Sequence, residues 1–438
     1  MLMVGLSSFS WWSPTAIFYL GGIQINEASQ ADFATQLKVA KMNTVEVTIY
    51  AQQGAWDSDD LAIPLVDSVA LYRIQSAKQA GLHVALLLRV QLDNALPENK
   101  FLWHGMILPT GNEKLQNWFR KYEKFVTTWA AIAEEEGVEI LGVGSELNAL
   151  VATCPINKIP HRYAYFNNKP LQKQWENRSF KYEKELQQED MKVHGQASYA
   201  DLDNYVDDRI EAHYNWGKFA TFRGKWNRVG RMNKRRRTIK KHWKQLIAQT
   251  RKVYKGKLTY AANFDNYMDV DFWEELDLMG INAYFPLRNL SKNPLTEADM
   301  QTSLEAGWQR AFRQINQFRA KEKLEEMPLL FTELGYLYRD NCTITPWEGF
   351  GFSVIGNGNK QELLVWSKQP INYTERRLAI DALYEVVRAE QINLQGILYW
   401  KLTTHPEQLV YEPFGLVLTK DGADPMQKSL ARFRNLEQ

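Results

Sequence analysis

Cysteine is scarce: Cys154 and Cys342 are the only two in 438 residues. Two thiols build no disulfide framework, and their spacing matches no zinc site. A chain of this length buries enough apolar surface to fold without such staples. Seven histidines show no HExxH or comparable pattern, which argues against a metal catalyst; no cofactor is expected. A glycine-rich phosphate turn is missing after every candidate strand, and that disfavours a doubly wound dinucleotide fold. Internal repeats and low-complexity tracts are missing too. Charged side chains are absent from the first 26 residues, Glu27 being the first. Met1–Leu20 nevertheless has no basic start, and Pro14 and several serines interrupt its apolar run. It reads as a buried first strand behind a loose leader, with a signal or anchor remnant as the alternative. No integral membrane domain is expected, and the compartment stays open.

Aromatic residues are plentiful: 15 Trp, 20 Tyr and 20 Phe. Indole faces suit the apolar faces of sugar rings, which favours a carbohydrate ligand, although large cores use Trp as well. Hydrophobic residues at 45% and charged ones at 24% are ordinary globular usage and exclude disorder. The formal charge of +2 is unevenly spread. Residues 155–245 hold 21 Lys and Arg against 10 Asp and Glu, so the remainder is net acidic.

Strand-like apolar runs alternate with segments of helical period. Strands are expected over 17–25, 44–52, 83–90, 139–147, 257–264, 276–285, 328–336 and 396–403. Several, such as 84–90, are almost continuously apolar, as strands covered on both faces must be. Helices are expected over 32–41, 67–80, 113–136, 238–254, 302–323 and 374–391. Trp118, Tyr122, Phe125 and Trp129 mark the buried face of the third, and Gly81 and Gly137 stand where left-handed caps close helices. Eight such units predict an α/β chain folded as a (β/α)8 TIM barrel, with its halves in 1–150 and 238–438. Residues 151–237 interrupt the fourth unit and read as an inserted, basic, mainly helical subdomain. Trp175, Tyr182, Tyr205, Tyr214, Trp216 and Trp226 would supply its small core. The run Lys234–Arg237 is expected to be a solvated loop ahead of a helix. Nucleic acid, or an acidic glycan or membrane surface, is the other reading of that run, but no recognised nucleic-acid module surrounds it.

Barrel enzymes carry their reactive groups at the C-terminal ends of strands. Two such ends present a glutamate, Glu146 after the fourth strand and Glu333 on the seventh. One alone reads equally as a helix cap or a buried ion pair. Two, facing across a barrel mouth, suggest the carboxylate pair of glycoside hydrolysis. Tyr50, Gln52, Arg89, Asp93, Trp103 and His104 follow the second and third strands and would line the same mouth. Arg89 reads either as an ion-pair partner of a catalytic carboxylate or as a ligand contact. His104, with no metal-ligand partner near it in sequence, reads as structural.

Eight stretches, in order, carry a family resemblance: Gly22–Ile25, Asn43–Tyr50, Trp118–Tyr122, Gly144–Leu147, Leu258–Phe264, Gly280–Pro286, Phe331–Tyr336 and Gly396–Trp400. The chain resembles the retaining (β/α)8 glycoside hydrolases, and most of all glycoside hydrolase family 113, the β-mannanase family. The resemblance implies Glu146 as acid/base and Glu333 as nucleophile. It implies that Tyr284 hydrogen-bonds Glu333, that Trp400 underlies the reacting sugar and that Asn263 lines the substrate. Ser145 stands where many relatives in the wider clan have an asparagine that touches the sugar. A β-linked hexose polymer such as β-mannan is the implied substrate. An acid/base is protonated when substrate binds, so Glu146 is expected to titrate high and Glu333 to be ionised. Two other readings remain at this point: a carbohydrate-binding barrel without turnover, and a binder of nucleic acid or an anionic surface through the basic insertion.

Overall fold

A computed structural model describes residues 17–25, 29–64, 66–151, 169–170, 202–289, 295–347, 352–355, 362–365 and 370–437. Eight parallel strands run β1 (Tyr19–Gln24), β2 (Thr44–Gln53), β3 (His83–Leu92), β4 (Ile140–Ser145), β5 (Lys257–Asn263), β6 (Leu278–Asn282), β7 (Leu329–Leu334) and β8 (Leu394–Thr403). Each pairs with its neighbours in sequence, and β1 pairs with both β2 and β8. The sheet therefore closes on itself as a (β/α)8 barrel and leaves no open edge. Continuous apolar runs form these strands because both faces are covered: Val84 to Leu88 are fully buried. Register breaks fall near the ends of β4 and β7, where the chain turns into the mouth.

The outer layer consists of α1 (Gln30–Val39), α2 (Ser68–Gln79), α3 (Asn112–Glu135), α4 (Leu202–Ala220), α5 (Arg228–Val253), α6 (Glu297–Glu322), α7 (Tyr373–Ala389) and α8 (Pro425–Ala431). Ser29, Asp67, Thr296, Asn372 and Asp424 cap helix starts by accepting backbone N–H bonds. Gly81 and Gly137 close α2 and α3 at φ 71° and 65°. Between β5 and β6 two short 3-10 turns, Tyr267–Asp269 and Trp273–Glu275, take the place of an α-helix.

Two expectations are corrected here. Lys234–Arg237 is no loop: it lies inside α5, which starts ten residues earlier than its apolar period suggests. The buried stripe Met232, Arg235, Ile239, Trp243, Leu246 carries an arginine where a period search looks for an apolar residue. Arg235 donates to the Pro109 carbonyl at 2.6 Å, and that bond makes its burial tolerable. The expected core of the insertion also fails in part. Trp226 is 86% exposed, and Trp216 packs against the barrel's own core. Trp175, Tyr182 and the Tyr205 side chain lie outside the described residues, as do Cys154 and residues 1–16 of the leader. Cys342 is a buried free thiol. No helix among the described residues is long and apolar enough to cross a membrane.

Inside the barrel, Tyr19, Ala85, Ile140, Leu278, Leu330 and Leu398 form a separate apolar cluster. All but Leu398 belong to the first residues of their strands, so the cluster fills the N-terminal end and the polar groups collect at the other.

Candidate active site

The end of β4 is built by crowding. A Cβ on Gly144 would stand 3.0–3.1 Å from the Tyr122 hydroxyl and the rings of Trp243 and Tyr260, so any side chain there would have to push these neighbours aside. Two residues on, Glu146 adopts φ 52°, in the left-handed region that non-glycine residues rarely enter. Its amide donates to the Ala261 carbonyl at 2.9 Å, and the next amide, of Leu147, donates to the Tyr260 hydroxyl at 2.8 Å. Both bonds hold the turn that presents Glu146 to the mouth.

Strand β6 and the residues just after it address both glutamates. Asn282 Nδ2 donates to Glu146 Oε1 at 2.9 Å, and the Tyr284 hydroxyl donates to Glu333 Oε2 at 2.8 Å. Just past the end of β6 the Tyr284 amide turns back to the Asn282 carbonyl at 3.1 Å, so one short stretch of chain addresses both carboxyl groups. The Asn282 amide cannot turn over, because Thr332 Oγ1 donates to its Oδ1 at 2.8 Å. On its other oxygen Glu146 meets His104 Nε2 at 3.0 Å. On its other oxygen Glu333 meets the Arg89 guanidinium at 2.5 Å, and Arg89 also reaches Glu46 at 3.4 Å. The Arg89 guanidinium carbon lies 5.2 Å from the centre of the Trp400 ring.

The electrostatics reverse the expected order of the two glutamates. Burial pushes Glu146 up, but the His104 hydrogen bond and charge, Arg89 and Asn282 outweigh it and hold the carboxyl below the usual value. Burial pushes Glu333 up as well; Arg89 and Tyr284 pull it down and Glu146 pushes it up, and the net direction is upward. The third carboxyl, Glu46, is raised to about 8 by burial, against the pull of Arg89. Arg89 stays charged, because Glu333 and Glu46 more than offset its desolvation. Tyr284 is raised well above its usual value, first by burial, so its hydroxyl keeps the proton it donates.

Arg89 takes the ion-pair alternative of its two readings, and His104 is not merely structural, since it contacts Glu146. Trp103 is 40% exposed and lies edge-on to His104, ring centres 4.9 Å apart. Tyr50 and Gln52 are exposed at the end of β2, and Gln52 pairs there with Ala62. Asp93 accepts the Ala95 amide in a turn. Asn263 is half-buried, 3.5 Å from the Asn148 side chain. Ser145 is buried, and its hydroxyl has no hydrogen-bond partner among the described residues. Glu46 and Asn282 were not legible as site residues. Alternation in Val45-Glu-Val-Thr-Ile49 reads as a half-exposed strand, whereas Glu46 is buried. Asn282 had a usable signal, an amide in an otherwise apolar strand. A cleft of about 510 Å³ lined by Tyr19, Glu139 and Lys257 lies at the opposite, N-terminal end, where barrel residues serve stability.

The sequence model of Glycoside Hydrolase Family 113 matches residues 24–153 and 225–378, more than half of the chain. Among solved structures, one described as a complex of a GH113 β-1,4-mannanase aligns at a TM-score of 0.55 and 17% identity, covering 97% of this chain and 99% of that one. The GH113 β-mannanase of Alicyclobacillus acidocaldarius in complex with ManMIm aligns at 0.54 and 14%, covering 96% and 98%. Identities this low speak for the barrel alone. No curated protein sequence matches.

Proposed function

Because the chain belongs to glycoside hydrolase family 113, and so is a glycoside hydrolase, we propose that it cleaves β-linked mannan by double displacement on Glu146 and Glu333. The observation that carries this reading is the pair of donors around β6, one for each carboxyl group. In the first half-reaction Glu146 gives its proton to the leaving oxygen while Glu333 attacks the anomeric carbon, forming a glycosyl ester. In the second, Glu146 as carboxylate takes a proton from water, which attacks that carbon and frees Glu333. A low-titrating Glu146 suits the second half, and the loss of the Glu333 charge on esterification favours its ionised form further. For the first half Glu146 needs a proton. A sugar seated over Trp400 strips water from the Glu146 side chain, 14% exposed without it, and desolvation raises a carboxyl. Tyr284 donates to one Glu333 oxygen and the Arg89 guanidinium forms an ion pair at the other, the surroundings of a nucleophilic carboxylate. A binding barrel without turnover would not need two carboxyl groups so placed.

The test is release of reducing ends from β-mannan, β-glucan, xylan and an anionic polysaccharide, by wild type and Glu333→Gln. Turnover is expected on β-mannan, with a loss on the order of a thousandfold or more in Glu333→Gln. Preference for another polymer would overturn the mannan assignment, and an active Glu333→Gln would overturn the residue roles.

A further inference from the structure

Helix α4 lies outside both stretches that match the family, yet it contacts the loop that carries His104. Trp216 Nε1 donates to the Met106 carbonyl at 2.8 Å, and His213 Nε2 donates to the Phe101 carbonyl at 2.9 Å. Lys100 pairs with Asp208 at 3.0 Å. These three contacts flank the short 3-10 turn His104–Met106 on both sides. That loop does not settle by itself: Phe101 sits at φ 65°, which costs a non-glycine residue conformational energy.

We propose that α4 is a brace which positions His104 against Glu146, so that an element outside the stretches matching the family sets the behaviour of the acid/base. The inference rests on the reading of Glu146 given above. His104 Nε2 meets Glu146 Oε2 at 3.0 Å, and an ionised carboxylate only accepts, so that nitrogen carries the hydrogen. The contact therefore favours the charged form of Glu146, opposing burial. Other titratable or charged groups that act on Glu146 are Arg89 from β3, Glu333 from β7, Tyr284 after β6, Tyr260 from β5 and Tyr50 from β2. None of these is held by α4. Among the described residues His104 links the helix to the site, and it acts there as a positioning residue.

The test uses the full chain and pairs a pH profile with a measurement that needs no turnover. His104→Ala should move the basic limb of kcat/KM on β-mannan to higher pH, because Glu146 then keeps its proton longer. Trp216→Phe, which keeps the ring and removes the N–H, should move the limb the same way by less, and the double variant should go no further than His104→Ala alone. Imidazole NMR should show the His104 Nε2–H resonance displaced by Glu146→Gln, because its acceptor is altered, and that displacement should shrink in Trp216→Phe. His213→Ala, which removes a second of these bonds to the loop, should repeat the result. His104→Gln, which retains a donor, should restore part of the profile. A Trp216→Phe or His213→Ala that lowers Tm while leaving profile and NMR coupling unmoved would overturn the brace. So would shifts that add in the double variant. If Glu146→Gln stays active while the NMR coupling holds, the role of Glu146 fails and the brace stands.

Discussion

Arg89 is shared by two buried carboxyl groups, Glu46 and Glu333, and with both ionised the cluster would hold one uncompensated negative charge. Burial resolves this at Glu46, the more distant partner, whose value rises to about 8. The sign of the consequence follows. Between the ordinary 4.5 and about 8, the folded chain keeps a proton that the unfolded chain releases, so stability falls as pH rises through that window. Glu46→Gln removes the effect. Its advantage over wild type in unfolding free energy, read from urea melts, should be absent near pH 4, grow to about pH 8 and then level off at up to roughly 5 kcal/mol. Tyr284→Phe acts on the other side of the cluster. Without the hydroxyl donor Glu333 rises further and ionises later, so the acidic limb of kcat/KM should move to higher pH. The rate at the optimum should fall about 10- to 100-fold, the loss of one bond to a charged group, with little change in Tm. Residue types at strand ends were legible in sequence for Glu146, Glu333, Tyr284 and Arg89. Which carboxyl holds its proton was not, because that depends on groups brought together from β2, β3, β6 and β7.

At the scale of elements, α3 and α5 do more than cover the sheet. Phe119 and Tyr122 of the first pack with Trp243 of the second, Trp118 stacks on Tyr122, and Tyr122 donates to the Val143 carbonyl at 2.8 Å. Their rings close around Gly144, so these two helices set the position of the turn that carries Glu146. Gly144→Ala forces a methyl group into that ring cage. It should cost about 1–3 kcal/mol in a denaturant melt and lower kcat more than KM, since the displaced group is Glu146. A kcat left at wild-type level would show that the cage and the turn move independently. The aromatic stripe of α3 was plain from its spacing. The start of α5 was not, because Arg235 occupies a buried position that only the Pro109 carbonyl makes acceptable.

For the molecule as a whole, strand and helix order was the most legible feature, since alternating runs leave few ways to cover both faces of eight strands. The contacts of the insertion were the least legible, because α4 is tied to the barrel by single side-chain bonds to carbonyls, which have no period in sequence. The apolar cluster of Tyr19, Ala85, Ile140, Leu278, Leu330 and Leu398 has a consequence for traffic. It makes the barrel a cul-de-sac: in the proposed mechanism, whatever reaches the glycosyl ester enters by the opening through which the leaving sugar departs. Water and the next sugar then compete for one doorway. As oligosaccharide concentration rises, chains longer than the starting material should accumulate. In heavy-oxygen water, mass spectrometry should find those chains without the isotope that hydrolysis products carry. A ratio of the two that ignores acceptor concentration would mean that water has an entrance of its own.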